Sequence, residues 1–111
     1  MIEQIIIDYL NGQQTVPAHA EIPVNPPDEY IIIERVGGGE QNRIREASIV
    51  VQTIAQSMFR AAELAEAIRE VMLGIVALPS VFHCSVNAGP YNFTNTDTNE
   101  YRYQTVYTVN Y

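Results

Sequence analysis

Lysine does not occur in this sequence, cysteine occurs once, and no stretch of apolar residues runs long. Each shortage excludes something. Without Lys, six Arg carry all the positive charge against thirteen acids, for a formal net charge of -7. A surface of that sign repels phosphates, so a basic groove that grips nucleic acid is not expected. A single Cys84 forbids an internal disulfide and gives no sign of an oxidising compartment. No apolar run approaches the roughly 20 residues that span a bilayer, so no membrane partner is expected. Met1 to Leu10 carries Glu3 and Asp8 and lacks a basic start, unlike a signal peptide. The expectation is a soluble, cytoplasmic protein.

What is present suits one domain, residues 1–111. Half of this length would be short of core, whereas the whole can bury roughly two-thirds of its unfolded surface and needs neither metal nor disulfide to fold; no cofactor is expected. A hydrophobic fraction of 47% with 17% charged residues is that of a globular protein rather than a disordered one.

Ile2, Ile5, Ile6, Tyr9 and Leu10 recur at helical spacing, with Glu3, Gln4 and Asp8 on the other face and Asn11-Gly12 as a stop. Four prolines between Val16 and Asp28 exclude a helix there and leave room for at most an edge strand near Ala18 to Ile22. Tyr30 to Val36 reads as a strand, apolar on both faces through Ile31, Ile32 and Ile33, and ended by Gly37-Gly38-Gly39. Glu40 to Glu46 then forms the tip of a long hairpin whose second strand is Ala47 to Ile54. Ser57 caps the main helix, Met58 to Val76, along which Ala61, Leu64, Ala65, Ile68, Val71, Met72 and Ile75 make one apolar stripe. Leu78-Pro79-Ser80 breaks that helix, Val81 to Val86 is a strand, and Asn87 to Glu100 is turn-rich. From Tyr101 to Tyr111 the residues alternate, with Tyr101, Tyr103, Thr105, Tyr107, Val109 and Tyr111 on one face.

The strand–helix–strand crossover from Ala47 to Val86 predicts two parallel strands, and the hairpins on either side are antiparallel. The fold class is therefore α+β: a mixed, mainly antiparallel sheet of four to five strands, with an N-terminal helix and one main helix packed on it.

No pattern carries catalysis, and the chain is not expected to be an enzyme. The glycine triplet is followed by a strand and no Lys, unlike a phosphate-binding loop. His83 and Cys84 are neighbours on a strand, point to opposite faces and cannot share a metal. Packing is the expected use of Cys84. A Ser/His/Asp set built on Ser80 and His83 would still want an acid that nothing places. Asp97, Asn99 and Glu100 lack the glycine and further carboxylates of a calcium loop. Asn92-Phe93-Thr94 matches a glycosylation acceptor without the secretory signal that would give it meaning. The tyrosine face of the last strand stands out. Tyr103 and Tyr107 are expected to pack on a helix, whereas Tyr101 and Tyr111 at its ends suit a subunit contact, since Tyr joins apolar area to a polar tip. Arg43 and Arg45 in the hairpin are the further interface residues, expected to pair with acids of a neighbour.

Tyr91-Asn92-Phe93, Thr96-Asp97-Thr98, Tyr101-Arg102-Tyr103-Gln104 and Val106-Tyr107 resemble the C-terminal part of tail-terminator (tail-completion) proteins of long-tailed bacteriophages and prophages. Ile22-Pro23 through Pro26-Pro27, Tyr30 to Arg35 and Gly37-Gly38 are similar to that family's proline-rich segment, strand and glycine pair, and Ala47 to Met72 to its strand–helix unit. The chain departs from many members in having no Lys and in carrying Val36 where a Thr is expected. The resemblance implies a virion structural protein of the tail and neck, assembled in the bacterial cytoplasm. Its subunits would form a homohexameric ring that caps the tail tube, meets the head connector proteins and lets DNA pass without specific binding. The other expectation is a small dimeric α+β regulatory or ligand-binding module; a ring and a dimer differ in size.

Overall fold

The computed structural model describes residues 1–41, 44–94 and 100–111. Two helices pack on one face of a five-stranded mixed sheet, as the periodicities predict. Helix α1 spans Ile2–Gln13 and buries Ile2, Ile6, Ile7 and Leu10. It runs past Gly12, which therefore does not stop it. The helix closes instead at Gln14, in extended backbone, whose side-chain amide donates to the carbonyls of Leu10 and Val16 at 3.1 and 2.6 Å. Asn11 brackets the next strand, accepting from the Ala18 N–H at 2.9 Å and donating to the Ala18 carbonyl at 3.2 Å. That strand, β1, is only Ala18–His19 and pairs parallel with Ile31 and Ile32. The prolines that follow leave it no room to lengthen.

Strands β2 (Tyr30–Gln41) and β3 (Ile44–Ala55) form a hairpin longer than expected. The three glycines do not end β2. A bulge between Arg35 and Gly37 absorbs one residue, and pairing resumes as Gly37↔Ser48, Gly38↔Ala47, Gly39↔Glu46, Glu40↔Arg45 and Gln41↔Ile44. Gly38 has a φ of 149°, and a Cβ there would lie 2.3 Å from the Glu46 carbonyl oxygen, so glycine permits a close strand approach here rather than a turn. The segment expected to be the tip is thus mostly ladder.

Ser57 caps α2 (Met58–Leu73), its hydroxyl accepting from the Arg60 N–H at 3.1 Å. The α-helix stops at Leu73, and Gly74–Ala77 continue as a 3-10 turn. Ala61, Leu64, Ala65, Ile68 and Met72 are buried against the sheet. The Tyr9 hydroxyl ties the two helices by donating to the Val71 carbonyl at 2.9 Å. Strand β4 runs His83–Asn92 rather than stopping at Val86, with breaks in register on both sides of Ala88. Bulging lets the strand pass the Gly89-Pro90 step that reads as a turn in sequence. Strand β5 spans Tyr101–Asn110 and lies between β3 and β4, antiparallel to both. The strands joined by the α2 crossover are accordingly parallel in direction but separated by β5.

The main core holds Ile31, Ile33, Ile49, Val51, Tyr107 and Val109 from the sheet against both helices. A satellite cluster of Tyr30, Ile32 and Ile54 sits on the opposite face, which is why β2 is apolar in both directions.

Candidate subunit interface

Beyond Ile33 strand β2 leaves the core behind, while β3 stays in it as far as Ala47. Glu34 to Glu40 on β2 and Ile44 to Glu46 on β3 are all exposed, and the molecule is 44 Å long against 24 Å across. This arm carries two of the exposed large apolar side chains, Val36 and Ile44. One of its faces is a shallow concavity lined by Gly38, Gly39, Ile44, Glu46, Ser48 and Asn110, among others. Pairing within the arm satisfies the inner backbone groups only. Past the two residues held by β1, the outer edge of β2 has no strand beside it among the described residues.

Of the four expected interface residues, Arg45 and Tyr111 come together. They exchange backbone bonds of 3.2 and 3.0 Å, and the Arg45 guanidinium lies 5.7 Å from the centre of the Tyr111 ring. Both sit where the arm leaves the sheet, so part of Arg45's charge is engaged within its own chain. Tyr101 is exposed at the other end of β5, well away from that pair. Arg43 lies outside the described residues, as do Asp97 and Asn99 of the calcium-like fragment.

The sheet face away from the helices carries a polar chain that crosses four strands. The Tyr30 hydroxyl donates to Glu100, which lies 4.0 Å from Arg102. Arg102 donates to Gln52 at 3.0 Å, Gln52 to Gln104 at 3.0 Å, and Gln104 to the Tyr91 hydroxyl. Burial, the bond to Glu100 and that carboxylate's charge together push the Tyr30 hydroxyl up to about 12. Alternation puts Gln52, Arg102 and Gln104 on this face, but which of them meet depends on the β3–β5 register, which sequence does not display.

The chain matches no protein-family model and no curated protein sequence. Its own geometry is what bears on function.

His83 is exposed and Cys84 buried, on opposite faces of β4. Burial pushes the Cys84 thiol up to about 11, the reverse of what a nucleophilic cysteine needs. Among the described residues no three His, Cys, Asp or Glu side chains gather where they would hold a metal ion. No described helix is long and apolar enough to cross a membrane. Near the N-terminus of α2, Arg60 is bound by Glu29 and by Glu63, and the bond from Arg60 holds the Glu29 carboxyl below its ordinary range.

Proposed function

We propose that this chain is a structural subunit of a bacteriophage tail, a terminator that assembles into a ring, caps the tail tube and meets the head connector. The observation that carries the reading is the β2–β3 arm. Its residues bury almost nothing in their own subunit and keep one backbone edge free, so an isolated chain gains little from ordering them. A neighbour supplies the missing burial and hydrogen bonds, which is the economy of an assembly part rather than of a free-standing module. The resemblance of the proline-rich segment, the glycine pair and the last strand to tail terminators says which assembly. The charge balance fits DNA passage, because cationic contacts that release counterions are what hold DNA in place, and this chain has few of them.

Light scattering across a concentration series, with and without tail tubes, tests the reading. A ring is expected, at high concentration or on a tube template. Deleting the gene from its phage is expected to leave filled heads beside unjoined tails, some of abnormal length. Normal joined virions would overturn the assignment, and a stable dimer would favour a small regulatory or ligand-binding module. Binding to duplex DNA at physiological salt is expected to be weak or undetectable.

A further inference from the structure

Among the described residues, the two edges of the sheet are open at the same levels. Four rows cross all of β2, β3, β5 and β4 at the arm end: Gly39–Glu46–Asn110–His83, Gly38–Ala47–Val109–Cys84, Gly37–Ser48–Thr108–Ser85 and Arg35–Ile49–Tyr107–Val86. Away from the arm both edges are obstructed. β1 occupies Ile31 and Ile32 on one, and on the other the register breaks around Ala88 are followed by Pro90, which has no N–H to offer.

Backbone phase agrees as well. Arg45 and Tyr111 each donate to the other, so strand alternation turns Glu46 toward β2 and Asn110 toward β4. Gly39 and His83 are then bonded inward, while Gly38 and Cys84 present N–H and C=O groups to the outside. Successive antiparallel pairings also make β2 and β4 run in opposite directions.

We infer that β4 of one subunit pairs antiparallel with the arm of β2 in the next, with His83 opposite Gly39, Cys84 opposite Gly38 and Ser85 opposite Gly37. The sheets of successive subunits thereby join into one belt. A second copy is the occupant because both halves of the contact lie on this one chain, at equal levels, in matching phase and in opposite directions. The inference rests on the ring reading and supplies its contact: an interface between two different edges is heterologous, so it closes into a ring or runs on as a filament. It also gives the glycines a use. A Cβ on Gly39 meets nothing within 4 Å, leaving space where the neighbour's imidazole would lie.

Cross-linking tests it. In a Cys84→Ala background, Gly39→Cys and His83→Cys are combined in one chain. Across the inferred contact they form a pair that is not hydrogen-bonded, with Cβ atoms about 4.5–5.5 Å apart, near disulfide range. Within one chain they are three strand spacings apart, roughly 14 Å, which no disulfide spans. Under conditions where the wild type assembles, mild oxidation is expected to give species larger than a dimer on non-reducing gels, reversed by reductant. Each single variant is expected to give none, and neither is a Glu34→Cys/His83→Cys pair, which is out of register. The reduced double variant should melt as its Cys84→Ala parent does, both sites being exposed. An assembled wild type whose double variant gives no ladder overturns the edge pairing and leaves the ring reading standing. Dimers from Gly39→Cys alone would show β2 meeting β2, and also overturn it. A wild type monomeric at every concentration and on tail tubes removes both. A ladder with filaments in place of rings upholds the pairing and overturns the ring.

Discussion

Ile68→Ala is the most direct test of how the helices are seated. Ile68 is 2% exposed in the middle of the α2 stripe, within the cluster that joins both helices to β2, β3 and β5. The substitution deletes three carbons, each contributing about 0.8 kcal/mol when buried, or roughly 2.4 kcal/mol in all. The void adds to this, since a helix held by the sheet and by α1 alongside it closes the space only in part. A loss of about 3–4 kcal/mol is expected, a large share of the ~5–15 kcal/mol available to a domain. Urea melts followed by circular dichroism should show the midpoint falling with little change in slope. Glu66→Ala, on the exposed face of the same helix, should stay within about 0.5 kcal/mol of wild type. A loss below about 1 kcal/mol for Ile68→Ala, or a greater loss for Glu66→Ala, would refute the packing.

Stability should fall in alkali. The folded Cys84 thiol sits near 11 against an ordinary 9.0, so its contribution is complete below pH 9 and is lost as pH rises through about 11. The raised Tyr30 acts in the same direction at higher pH, and Cys84→Ala should flatten the first part of the decline in melts across that range. Alkylation of Cys84 at neutral pH should be slow in the native protein and fast in urea; labelling at the rate of a free thiol without denaturant would contradict its burial. Amide exchange should report the arm residue by residue: Gly38 fast in the isolated subunit and protected on assembly, Gly37 and Gly39 slower throughout. Uniform protection in a monomer would show that the outer edge is already covered.

Elements whose pattern is local were readable in sequence. The α2 stripe and the alternation of β5 each repeat often enough to declare a period, and Ser57 caps where it was expected. The three glycines misled because glycine's freedom looks alike at a turn and at a bulge. Only the approach of the Glu46 carbonyl to Gly38 tells the two apart, and that contact lies across the hairpin. Gly89-Pro90 hid the second half of β4 in the same way. Among candidate interface residues, Tyr101 is exposed as its place at a strand end suggests, whereas Tyr111 is half-buried against the core. That Tyr111 meets Arg45, or that Gly39 and His83 close one row, depends on registers among strands distant in sequence.

The place of β5 has a consequence during synthesis. Its residues follow all the other strands in the chain yet occupy the interior of the sheet, so β3 and β4 stay unjoined while the ribosome is still making residues 101–110. Pairing of β5 with β3 closes the loop across the whole α2 crossover, a non-local step of the kind that slows folding. Until it occurs, β4 has no fixed level against β2, and neither edge offers a neighbour a defined register. In the proposed assembly, a nascent chain therefore has a matching pair of edges to offer only once it is complete through β5.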